Sequence, residues 1–114
     1  MITKQEFEDG AKAARFNLTT LFPKMVSFKS YIQKAILDIA SSEELGDVCN
    51  CRINYGMIDK LCLLAKNQWV RSENAETLYC AAMAVATIIK EYDWGTQYIS
   101  GDGLWWIADK IQKS

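Results

Sequence analysis

The sequence predicts an all-α, single-domain bundle of about five helices, and three observations carry that prediction. The first is the stretch Leu78–Ile89, LYCAAMAVATII, the longest uncharged apolar run in the chain. At helical spacing Ala75, Leu78, Tyr79, Ala82, Val85, Ala86 and Ile89 share one face, while Ala81, Met83 and Ile88 leave the other side nearly apolar. A helix apolar almost all round is buried on several sides, so Ser72–Tyr92 is expected to be the central helix, its alanines admitting close neighbours. The second is a set of further segments with apolar residues three and four apart. The third is that no run alternates strictly over strand length, and no stretch repeats with the period of a solenoid.

Each element has its own signals. Thr3 followed by Glu6 is a capping box, and Ile2 with Phe7 fits the hydrophobic staple around it. Phe7, Ala11, Ala14, Leu18 and Leu21 then line one side of a first helix, with Gly10 weakening its middle and Glu6, Glu8 and Asp9 near the positive end of its dipole. Pro23, the only proline, marks its end, because the residue before proline avoids helical angles. Ser27 caps a second helix in which Phe28, Tyr31, Ile32, Ala35, Ile36 and Ile39 form the cleanest amphipathic stripe. Ser41 and Glu44 repeat the capping-box spacing and open a short turn of helix that ends near Gly46.

Gly46–Gly56, GDVCNCRINYG, reads as the longest interior loop. The next helix places Met57, Ile58, Leu61, Leu64, Ala65, Gln68 and Trp69 inward. Ser72 is the expected cap of the apolar helix, with Glu73 and Glu76 in its first turn. DWGTQYISGDG then forms a glycine-rich loop carrying Trp94 and Tyr98. The final helix is expected from about Gly103 to Gln112, with Leu104, Ile107, Ala108 and Ile111 inside and Trp105 at the edge. Trp106 falls with Asp109, Lys110 and Lys113 on the side expected to face water. No linker or low-complexity tract divides residues 1–114, so a single helical domain is expected.

Composition narrows the function. A membrane-spanning helix needs roughly 20 apolar residues, and the apolar run is bounded by Glu73 and Glu76 before it and by Lys90, Glu91 and Asp93 after it. The acidic start, MITKQEFEDGAKAARF, does not read as a signal peptide, so a cytoplasmic location is expected. The four cysteines are then thiols. Cys62 and Cys80 fall on apolar helical faces, and Cys49 with Cys51 makes a C-x-C rather than a zinc-type C-x-x-C. No metal and no cofactor is expected.

There is no histidine, the commonest general base, and no P-loop, G-x-G-x-x-G or G-x-S-x-G, so the chain is read as not an enzyme. Lys4, Lys12, Arg15, Lys24, Lys29 and Lys34 give the first third a basic excess. The rings of that region lie on core faces, however, and the net charge is −1, which does not favour nucleic acid.

A protein–protein role fits these residues best, since Trp, Tyr and Arg anchor interfaces. Trp94, Tyr98 and Trp106 make one candidate aromatic patch, flanked by Asp93 and Asp102, and Glu43, Glu44 and Asp47 form a second acidic spot. The competing placement has Trp94 tucked under its own loop and Trp106 covered by the N-terminal helix or chain end.

A small, signal-free, all-helical chain with surface acids resembles the cytoplasmic immunity proteins that bacteria carry against their own toxins. More narrowly, it is similar to the helical immunity proteins of contact-dependent growth inhibition systems, in type across the whole chain and without residue-by-residue correspondence. The resemblance implies a partner: a cognate toxin, with a nuclease domain as the expected target. A nuclease site is basic because it grips phosphate, so Glu and Asp around an aromatic anchor would steer association. The alternative from the residues is a phage-type or regulatory adaptor acting on nucleic acid or on a nucleic-acid enzyme.

Overall fold

The computed structural model describes residues 1–21, 55–91 and 100–114. Among these are four helices and no strand: α1 (Lys4–Leu21), α2 (Tyr55–Val70), α3 (Ala75–Glu91) and α4 (Gly101–Lys113). The expected helix from Ser27, the turn at Ser41–Glu44, Cys49 and Cys51 lie outside the described residues. The radius of gyration of 13.4 Å is that of a compact chain, about 13 Å being usual for 100 residues.

Helix α1 starts as its capping signal requires. Thr3 Oγ1 accepts from the Glu6 amide at 3.2 Å, and the Thr3 carbonyl accepts from Phe7 N at 2.9 Å. Phe7 and Ala14 are buried, Ala11 is half-buried, and Ile2 packs against the same core. Gly10 is buried as well, and the reason lies in α3 rather than in α1. A Cβ on Gly10 would overlap that of Ala75 and stand 2.9 Å from the Ala75 carbonyl carbon. The missing side chain is what lets the two helices touch.

Helix α2 begins one residue before Gly56, the glycine at which the preceding loop was expected to end, so Tyr55 and Gly56 are helical. It buries Ile58, Leu61, Cys62 and Ala65, with Leu64, Gln68 and Trp69 half-buried. Its end corrects the expected start of α3. Ser72 N and Glu73 N both donate to the Trp69 carbonyl, at 3.1 and 2.8 Å, and Glu73 has φ +50°. This is the left-handed C-terminal cap usually taken by glycine or asparagine. Ser72 and Glu73 therefore close α2 instead of opening α3. The cap of α3 is Asn74, whose Oδ1 accepts from Thr77 N at 2.8 Å. The Ser72 hydroxyl goes to Thr77 Oγ1 at 2.8 Å.

Helix α3 packs against each of the other three described helices. Leu78, Tyr79, Cys80, Ala81, Ala82, Ala84, Val85, Ala86, Ile88 and Ile89 are all buried, and only Met83 and Thr87 among residues 78–89 are half-buried. Side chains so small on one rod draw neighbouring backbones close, and the burial of their apolar surface is the dominant favourable term in folding. Among the described residues no helix is long and apolar enough to cross a membrane.

Helix α4 starts earlier than expected. Ser100 caps it, its Oγ accepting from Gly103 N at 3.1 Å, so Gly101 and Asp102 are in the first turn. Leu104, Ile107, Ala108 and Ile111 are buried. The chain ends are tied together by Gln112, itself buried. Its Oε1 accepts from Ile2 N at 2.8 Å and its Nε2 donates to the Ile2 carbonyl at 3.3 Å. Lys66 Nζ donates to the Gln112 carbonyl at 3.5 Å and to the Ser114 carbonyl, a cation at the negative end of α4. Gln112→Ala removes both halves of the amide clip while leaving the Ile2 groups partly buried. It is expected to cost about 1–3 kcal/mol, read as a lower urea midpoint at unchanged slope; an unaltered midpoint refutes the clip.

Candidate partner-binding face

The described part of the candidate site lies on α4. Asp102 and Trp106 are one helical turn apart and so share a face. Glu43, Glu44, Asp47, Asp93, Trp94 and Tyr98 lie outside the described residues.

Asp102 projects from the first turn with its side chain 91% exposed, and its carboxylate meets Lys4 Nζ at 3.3 Å. An exposed pair of this kind contributes about 0–1 kcal/mol, so it does little to hold the carboxylate in place. Trp106 departs from expectation. It is half-buried and packs against the core rather than standing in water. Lys110, one turn later, adds to that cover, its Nζ sitting 5.1 Å from the ring centroid. A lysine stem covers apolar surface while its head stays wet, and the cation over the ring adds about 0.5–1 kcal/mol. The same Nζ bonds Asp59 of α2 at 2.6 Å. Lys113 pairs with Asp109 at 2.8 Å, one turn back on the helix.

Trp105 sits at the boundary of the inner side as expected, half-buried with its ring centroid 5.4 Å from that of Phe7. Phe7 in turn lies 6.1 Å from Tyr79, so an aromatic row runs from α4 through α1 to α3. These are the separations at which tilted rings attract.

Clefts lined by described residues lie on either side of α4. One, of about 450 Å³, lies between α2 and α4 and is lined by Asp59, Leu63, Lys110, Lys113 and Ser114. Leu63 is 51% exposed there, and Val70, two turns on, is also exposed. The other, of about 400 Å³, lies between α1 and the start of α4, with Tyr79 at its wall. Its key pair escaped sequence reasoning: Arg15 Nε donates to the Tyr79 hydroxyl at 3.0 Å, and the guanidinium lies 5.7 Å from the Tyr79 ring centroid. The two residues are 64 positions apart, and nothing local marks such a pairing.

Cys62 and Cys80 are buried thiols. Burial pushes the Cys62 thiol up to about 12, against the opposing pull of the Lys110 charge. The nucleophilic thiolate is therefore scarce at neutral pH. Among the described residues no group of three or more Cys, Asp or Glu is arranged to hold a metal ion.

No family model, no curated protein and no solved structure matches this chain.

Proposed function

We propose that the protein is a cytoplasmic binding protein that neutralises a cognate toxin, with a nuclease domain as the target, and that it acts by occupying the toxin rather than by chemistry of its own. The architecture proposed for it is a bundle of about five helices with α3 at the centre. The observation that carries the functional reading is the placement of Asp102 and Trp106: a strongly exposed acid one turn from a half-buried tryptophan on a single rigid helix. A large aromatic seated in a partly covered setting is the usual anchor of an interface, and an acid beside it suits a basic partner. Glu43, Glu44, Asp47, Asp93, Trp94 and Tyr98 complete the proposed contact set.

The test is co-expression with the product of the adjacent open reading frame. Relief of its growth inhibition and co-purification of a complex are expected; killing that proceeds undiminished overturns the reading. Within the complex, Trp106→Ala is expected to cost about 2 kcal/mol or more of binding, as interface anchors do. Asp102→Lys is expected to slow association at low salt more than at high salt. Both variants are checked for retained helicity, and wild-type affinity in both refutes the assigned face.

A further inference from the structure

Four large apolar side chains are exposed among the described residues, and two of them, Leu63 at 51% and Val70 at 48%, stand on α2. They are two helical turns apart, so both lie on one side of that helix. Asp59 and Asn67, exposed on the same side, extend the stripe. Singly exposed aliphatics are ordinary on a surface. A pair aligned on one 16-residue helix, about 24 Å long, forms a seam instead.

The charges along the seam are of both signs and point to what covers it. Lys60 near its start, and Arg71 and Glu73 at its end, hold no ion pair or side-chain hydrogen bond among the described residues. A second α2, antiparallel to the first about a two-fold axis between Lys66 and Asn67, answers this pattern. Leu63 then stands level with the partner's Val70, and Val70 with the partner's Leu63. Lys60 stands level with the partner's Glu73, and Asp59 comes within one turn of the partner's Arg71. Each contact occurs twice, as an isologous interface requires. Parallel helices in register would instead set Lys60 against Lys60 and Arg71 against Arg71, and like charges facing each other repel. Lys66, at the axis, is kept from opposing its own copy: its Nζ is drawn away to the Gln112 and Ser114 carbonyls at the end of α4. The cleft of about 450 Å³ beside Leu63 leaves room for the partner's Val70.

We propose that the chain self-associates as a two-fold dimer through this face of α2, with Leu63 and Val70 interleaved at its centre and Lys60–Glu73 pairs closing both ends. A single helix from each copy makes a small interface, below about 1,200 Å², and interfaces of that size are weak and transient. At low micromolar concentration the chain is a monomer, so unfolding measured there does not report the contact. The face uses neither Asp102 nor Trp106, so toxin binding and self-association succeed or fail separately.

Sedimentation equilibrium of the full chain tests this. The weight-average mass is expected to climb from 12.9 kDa toward twice that value between about 10 µM and 1 mM, the range of a weak complex. Leu63→Asp, with its circular dichroism unchanged, is expected to hold the chain at the monomer mass throughout. Lys60→Glu and Glu73→Lys are each expected to weaken association about tenfold, since two attractive pairs become repulsive. The double exchange is expected to restore it, which a merely structural role for these residues would not produce. A monomer at every concentration overturns the proposal, as does a dimer indifferent to Leu63→Asp. A double exchange no stronger than either single change, or a mass that grows past the dimer, overturns the two-fold pairing. A monomer whose urea midpoint falls on Leu63→Asp would mean that the chain itself covers the face, and the proposal fails there too.

Discussion

Gly10→Ala is expected to lower the stability of the fold by about 1–2 kcal/mol, although the same change in an exposed helix would raise it. Alanine is better than glycine in a helix interior by about 1 kcal/mol, so α1 alone gains from the substitution. Against that stands the contact with α3. The new methyl would overlap the Ala75 Cβ and press within 2.9 Å of its carbonyl carbon and 3.2 Å of its Cα. Two of these three atoms are backbone at the first residue of α3, so no rotamer change relieves the overlap. Overpacking of this kind costs about 1–3 kcal/mol, sometimes more, and the balance is negative. Thermal unfolding followed by far-UV circular dichroism would show it as a fall of several degrees, since about 1 kcal/mol moves a domain of this size by roughly 4–6 °C. Ala75→Gly combined with Gly10→Ala should recover part of the loss, giving a coupling of about 0.5–3 kcal/mol for residues in contact. A Gly10→Ala protein as stable as wild type would mean that α1 and α3 do not touch there.

Gly10 also marks what a linear reading is able to see. As a lone glycine in a helical pattern it looks like a local weakness; its purpose belongs to a residue 65 positions away. Where the cause is local, the reading and the structure agree. Thr3 caps α1 because its hydroxyl and the Glu6 amide are three residues apart. Leu104, Ile107, Ala108 and Ile111 are buried because helical spacing puts them on one side. Where two local signals share a few residues, the reading goes astray. Ser72 is a good cap in isolation, but four residues separate α2 from α3, and the first helix must end before the next begins. Closing α2 draws Ser72 and Glu73 back to Trp69, and Asn74 is left to start α3. Glu73 accepts a positive φ to make this corner, and an ordinary residue holds such a conformation only when its surroundings impose it.

The candidate site was legible to a lesser degree, for a related reason. Asp102 and Trp106 are placed on one face by helix geometry alone, but exposure depends on what comes to rest on that face. Helical spacing groups Trp106 with Asp109, Lys110 and Lys113, which points to water. In the fold Lys110 reaches both the Trp106 ring and Asp59 on another helix, and the ring is half covered. The Arg15–Tyr79 pair is wholly tertiary: the arginine belongs to a polar face and the tyrosine to an apolar one, and only the packing of α1 on α3 joins them.

Leu78→Ala is expected to be the most damaging single change considered, at about 2–5 kcal/mol. Leu78 is fully buried near the start of α3, the helix that meets α1, α2 and α4. Alanine is the best helix former, so a loss cannot be ascribed to α3 as an isolated helix. It must come from apolar contacts withdrawn and from a void that the neighbours fill only partly. Leu63→Ala supplies the comparison: same residue type, same substitution, but 51% exposed on α2. A surface change away from special features stays within about 0.5 kcal/mol. The two variants therefore differ in burial alone, and urea unfolding should show a large downward shift of the midpoint for Leu78→Ala and almost none for Leu63→Ala. Total stabilities of about 5–15 kcal/mol are usual, so the first loss is enough to threaten folding at physiological temperature. Equal, small effects would mean that α3 lies against water along the Leu78 side. The packing that holds Asp102 and Trp106 in place on α4 would then have lost its foundation.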